Sequence, residues 1–83
     1  PRDYFAWWLL GDCYMATQEW AQSEQSYTAC TLLRPEIAVA YFNRGLARFA
    51  LQQFSDADID YEHTLELSPQ WHMCRLNRAL CLQ

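Results

Sequence analysis

Apolar positions in the first part of the chain recur at helical intervals. Phe5, Trp8, Leu9, Asp12, Met15 and Ala16 lie on one stripe, and Ala6, Leu10, Cys13, Tyr14 and Thr17 lie on a second beside it. A helix carrying both stripes is apolar on two faces. The pattern breaks near Gln18-Glu19, and a second helix is expected from about Trp20 to Leu33, where Arg34-Pro35 ends it because proline disfavours helical backbone in the residue before it. The scheme then repeats. A third helix is expected from about Ala38 to Leu51 and a fourth from about Phe54 to Leu67, with Ser55 and Asp58 at the spacing of a capping box. A fifth, introduced by Ser68-Pro69, is expected from about Gln70 to the end of the chain.

The repetition has a fixed stride. At an offset of 34 positions Ala6 falls on Ala40, Gly11 on Gly45, Ala16 on Ala50, Tyr27 on Tyr61, Leu33 on Leu67 and Pro35 on Pro69. Near the end, Asn77, Arg78 and Leu80 repeat Asn43, Arg44 and Leu46, while Trp7 with Tyr41, Trp8 with Phe42 and Trp20 with Phe54 preserve bulk. A period of this length marks an all-α solenoid in which each unit buries its apolar face against the next. Gly11 and Gly45 fall inside helices, where glycine costs about 1 kcal/mol relative to alanine, so a neighbour must need the missing side chain. The small residues Ser23 and Ala57 are the expected neighbours, and Ala79 holds the corresponding place in the last helix.

Trp7, Leu10, Gly11 and Tyr14 spell W-x-x-L-G-x-x-Y, with Tyr27 and Pro35 following; Tyr41, Gly45, Ala57, Tyr61 and Pro69 continue the series. The chain thereby resembles the tetratricopeptide repeat family. The resemblance implies a right-handed superhelical solenoid of antiparallel hairpins: repeat 1 over 4–37, repeat 2 over 38–71, and the first helix of repeat 3 over 72–83. Arg44 and Arg48 depart from apolar positions of the family pattern, Gln18 and Gln52 from its turn glycine, and Arg75 from an aromatic. The segment Tyr27–Glu36 followed by Ala40–Ala47 is also similar to repeat segments attached to some bacterial serine/threonine protein kinases.

The family's first helices line a concave groove for polypeptide ligands. By register the resemblance assigns that lining to Phe5, Trp8, Leu9, Asp12, Met15 and Ala16, then Val39, Phe42, Asn43, Leu46, Phe49 and Ala50, then Met73, Leu76, Asn77 and Leu80. Most are apolar, as contact surfaces tend to be. Asn43 and Asn77 hold equivalent places from which an amide can grip a peptide backbone, with Trp8, Phe42, Leu46 and Leu76 receiving side chains. One subclass grips a terminal carboxylate of chaperone tails with Lys and Asn on the first unit, Asn on the second, and Lys and Arg on the third. The corresponding residues here are Trp8, Asp12, Asn43, Met73 and Asn77, of which Asn43 alone agrees, so a carboxylate-clamp ligand is not expected. Self-association through apolar faces, and service as a regulatory arm of a larger enzyme such as a serine/threonine kinase, are the alternatives.

Composition narrows the remaining classes. The chain has 83 residues, of which 52% are hydrophobic, and a net charge of −4, with six arginines and no lysine. One thin-cored domain is expected, and some apolar surface must meet a neighbour. Because the chain opens on Pro1 and stops at Leu82-Gln83 within an apolar pattern, it reads as an excerpt of a longer protein. A negative balance opposes nucleic-acid binding, and no apolar run reaches the length of a membrane span. Cys13, Cys30, Cys74 and Cys81 contain no C-x-x-C, so small core residues in a reducing, cytoplasmic compartment are expected rather than a metal site. Asp56, Asp58, Asp60 and Glu62 superficially resemble a calcium loop, but Tyr61 stands where the turn glycine belongs, within a helix; a solvated acidic face is expected. A half-buried Arg44 would need a partner, and Asp60 is the expected one, with Arg78 a further candidate for the same carboxylate. Cys30 with His63 or His72 makes a weak nucleophilic pair, since the family register puts Cys30 in the core. Neither enzymatic chemistry nor a cofactor is expected.

Overall fold

The computed structural model describes residues 3–81. Its elements are α1 (Tyr4–Ala16), α2 (Trp20–Leu33), α3 (Ala38–Ala50), α4 (Phe54–Leu67) and α5 (His72–Cys81). Packing runs between successive helices, α1 on α2, α2 on α3, α3 on α4 and α4 on α5, which is the nearest-neighbour arrangement of a solenoid. Among the described residues no helix is long and apolar enough to cross a membrane. The expected continuation of the last helix through Leu82 and Gln83 lies outside the described residues, as does Pro1.

The helix ends follow from local chemistry. Asp3 caps α1, its Oδ1 accepting from the Phe5 amide at 3.1 Å. At the turn after α1, the Glu19 amide donates to the Tyr14 carbonyl at 2.8 Å and the Gln18 amide to Met15 at 3.1 Å. The turn after α3 repeats this, with Gln53 donating to Arg48 at 2.8 Å and Gln52 to Phe49 at 2.9 Å. Both are Schellman motifs, which need a left-handed residue. Gln18 and Gln52 supply it at φ 61° and 64°. The expected capping box at Ser55 does not form. Ser55 lies inside α4, whose cap position is Gln53, and Asp58 is engaged by an arginine instead. Helix α5 also starts later than expected, because the first helical amides, Cys74 and Arg75, bond to the Trp71 carbonyl.

Two clusters make the core. Tyr27, Cys30 and Ala40 are buried against Tyr4, Trp7, Trp8 and Met15. One stride later, Ala57, Tyr61 and Cys74 are buried against Phe42, Phe49, Leu65, Trp71 and Cys81. Tyr27 and Tyr61 explain the glycines. A Cβ on Gly11 would lie 2.6 Å from the Tyr27 ring, and one on Gly45 would lie 2.6 Å from that of Tyr61. The close neighbour is therefore an aromatic ring, not the small residues expected from the sequence. Ser23 has a different task, donating from Oγ to the Gly11 carbonyl at 3.1 Å.

The cysteines divide by position rather than by type. Cys30 and Cys74 are buried, Cys13 is exposed and Cys81 lies between. Cys13 corresponds to Ala47, which is buried within α3 between two neighbouring helices. Among the described residues α1 packs extensively on α2 alone, so the same position opens to solvent.

Candidate functional site

The ladder of equivalent positions on α1, α3 and α5 defines the candidate face. Phe5, Leu9, Met73, Leu76 and Leu80 are exposed there, although each is large and apolar. Between them, α3 presents half-buried Val39, Phe42, Asn43, Leu46 and Phe49. Asp12 and Ala16 are exposed, while Met15 is half-buried. Not every predicted acceptor is open. Trp8 stacks on Tyr4 and meets the Tyr27 ring edge-on, with centroids 5.5 Å apart in the latter pair. Phe42 is held between Tyr61 and Trp71, stacked on the indole at 4.6 Å. Trp71 was not among the residues the sequence pointed to: the sequence put it at the start of the fifth helix, whereas it lies in the turn before α5.

The tyrosine hydroxyls organise the polar part of this face. Tyr27 donates to Asp12 Oδ1 at 2.5 Å, and its hydroxyl also lies in the reach of Asn43 and Ser23. Burial foremost, then Asp12, pushes the Tyr27 phenol well above its ordinary value. Tyr61 is likewise pushed up by burial, with Asn77 beside it. Asn43 and Asn77 thus each sit against the tyrosine of the preceding hairpin. Where the first unit has Asp12, the second has Leu46, and an apolar pocket of ≈ 80 Å³ opens between Leu46, Phe49, Tyr61, Asn77 and Leu80. The pocket joins four predicted site residues on α3 and α5 with Tyr61 of α4.

A second polar group lies between α2, α3 and α4. Asp60 is fully buried and accepts from Arg44 at 2.7 Å and from Arg48 at 3.0 Å. Arg44 also donates to Thr28 and Thr31, and Arg48 to Glu24 at 2.7 Å. Arg78 does not join Asp60. Its guanidinium takes Asp58 and Glu62, both at 2.9 Å. The expected solvated acidic face is therefore corrected at Asp58 and Asp60, while Asp56 and Glu62 are exposed as expected. The reason is the stride itself: Asp58 and Glu62 are one period beyond Glu24 and Thr28, which Arg48 and Arg44 reach on the preceding hairpin, and Arg78, one period beyond Arg44, takes both of the equivalent places. Arg75 shows the same economy. It donates to the Pro69 carbonyl at 2.6 Å, one period after the Tyr41 hydroxyl donates to that of Pro35 at 3.1 Å. Among the described residues no buried side-chain nitrogen or oxygen lacks a partner, and no three His, Cys, Asp or Glu side chains converge on a metal position.

Comparison with known proteins places this geometry. The family model described as tetratricopeptide repeat matches residues 6–37 and 38–70. RNA polymerase II-associated protein 3 of Homo sapiens is 39% identical over 56 residues, which is 68% of this chain and 8% of that protein. The mouse (Mus musculus) counterpart is 41% identical over the same length. Among solved structures, the first such domain of Spaghetti (RPAP3) bound to the HSP90 peptide SRMEEVD is similar with a TM-score of 0.95 at 29% identity, covering 100% of this chain and 66% of that one. The TPR2B domain of yeast Sti1 in complex with pHsp70 is similar with a TM-score of 0.90 at 26% identity, covering 94% of this chain and 62% of that one. The chain thus spans a small fraction of the curated relatives and under two thirds of the Sti1 domain.

Proposed function

Since the chain belongs to the tetratricopeptide repeat family, we propose that it is a non-catalytic protein-interaction module holding an extended polypeptide along α1, α3 and α5. The observation that carries this reading is the half-open apolar pocket among Leu46, Phe49, Tyr61, Asn77 and Leu80, on a face where Leu9, Met73 and Leu76 are also exposed. At about 1.5–3 kcal/mol for each fully buried apolar side chain, two or three anchors offset the cost of association to micromolar affinity. Trp8 and Phe42 support the wall through their aromatic contacts, and Asn43 and Asn77 keep amide groups at its edge beside the tyrosine hydroxyls.

The related domains of Sti1 and Spaghetti take peptides of Hsp70 and HSP90. This chain has Trp8, Asp12, Met73 and Asn77 at four of the five places where that subclass holds a terminal carboxylate, which leaves no cation for the anion to meet. A ligand gripped by its carboxylate is therefore not our reading. The test is a fluorescence-anisotropy titration of peptide-array hits against the wild-type protein and Leu80→Ala, with SRMEEVD as free acid and as amide for comparison. Weaker binding of the hits by Leu80→Ala, by about tenfold, and no gain from the free carboxylate are expected. Unchanged affinity in Leu80→Ala would remove the pocket from the reading, and a strong preference for the free acid would restore the clamp.

A further inference from the structure

We infer that this face is graded from acidic to apolar and selects a peptide carrying a cationic side chain and an aliphatic one, the cation at Asp12 and the aliphatic group in the Leu46 pocket. The inference rests on the peptide-binding reading above and names the chemistry of its ligand.

The grading arises at one repeat position. Asp12, Leu46 and Leu80 are separated by the same stride, so they occupy equivalent places on α1, α3 and α5. In the first unit the carboxylate accepts from the Tyr27 hydroxyl at 2.5 Å through Oδ1. Its Oδ2 takes no hydrogen bond among the described residues, and the side chain is exposed. In the second unit leucine stands in that place beside Tyr61, and the space becomes the ≈ 80 Å³ pocket with an almost wholly carbon lining. One ordered water needs roughly 10–15 Å³ by a comparable measure, so the pocket accepts a branched aliphatic side chain rather than a single solvent molecule.

Charge decides the partner of Asp12. It is the only carboxylate on α1, which has no arginine, lysine or histidine. Every described arginine is already occupied: Arg34 by Glu36, Arg44 and Arg48 by Asp60 and Glu24, Arg78 by Asp58 and Glu62, and Arg75 by the Pro69 carbonyl. With a net charge of −4 on the chain, an arriving acidic peptide meets repulsion and a basic one attraction. The half-exposed leucines and the single carboxylate thus complement a ligand that alternates basic and aliphatic groups.

Two series of labelled, amidated peptides separate the terms, each peptide carrying two leucines and, at a short Gly/Ser spacing varied along the series, either arginine or glutamate. Anisotropy at low salt is expected to show the arginine series binding about tenfold more tightly, with the difference shrinking as salt is raised. Asp12→Asn keeps an acceptor for Tyr27 and is expected to abolish the preference, while Leu80→Ala weakens both series alike. Equal affinities, or a preference for glutamate, would overturn this inference and leave the groove reading standing. Failure of both series to bind the folded protein would overturn the two together.

Discussion

At Gly45 two opposing effects are large enough to be weighed. Alanine in a helix interior gains about 1 kcal/mol over glycine. Its Cβ, however, would lie 2.6 Å from a ring carbon of Tyr61, a side chain that is 1% exposed. Overpacking of this kind costs roughly 1–3 kcal/mol, so after that gain Gly45→Ala is expected to lose up to about 2 kcal/mol in urea unfolding. In a Tyr61→Leu background the ring is gone, and the same substitution should become stabilising. A destabilising effect of unchanged size in both backgrounds would show that the ring is not the reason for the glycine. The sequence marked this glycine but misidentified its neighbour, because Ala57 and Tyr61 lie on the same helix one turn apart. Spacing along α4 does not say which of them leans on α3.

The helical elements were legible almost to the residue, since stripe spacing and proline set α2, α3 and α4. The turns between paired helices were legible too, but as departures. Gln18 and Gln52 stand in left-handed backbone at φ 61° and 64°, which costs an L-residue roughly 1–2 kcal/mol. Glycine avoids that penalty and gives part of the gain back as unfolded-chain entropy. Gln52→Gly should therefore raise stability by about 0.5–1 kcal/mol, or a few degrees in Tm for a domain of this size. Thermal melts followed by circular dichroism check this, and a fall in Tm would mean that the glutamine side chain contributes something the backbone argument omits. Ser55 illustrates the opposite error. Its spacing to Asp58 fits a capping box, yet the chain enters α4 two residues earlier at Gln53, and Asp58 is drawn to Arg78 on the following helix.

Across the whole molecule, the group around Asp60 joins one hairpin to the next. The carboxylate is fully buried, and its two arginines reach Glu24, Thr28 and Thr31 on the preceding unit. Removing one member of such a group leaves uncompensated charge in a dry setting, so Asp60→Ala is expected to cost about 3 kcal/mol or more. Arg78→Ala breaks an ion pair at the open edge, where the side chain is 35% exposed, and should cost less than about 1 kcal/mol. Urea unfolding of the two variants tests the ordering. Because solenoid stability is carried by neighbour interfaces, Asp60→Ala should also broaden the transition; equal costs for both variants would contradict the assignment of Asp60 as the junction.

The chain's periodicity by itself determined the helices, their pairing in hairpins, the stride of 34 residues and hence the family, because these depend on local backbone preference and on apolar spacing along one dimension. The partners of Gly45 and Arg78, the shielding of Phe42 by Trp71, the exposure of Cys13 and the pocket at Leu46 were decided by tertiary structure. Equivalent positions share a place on their own helix, but what each side chain meets depends on the helices before and after it and on the residues those helices present.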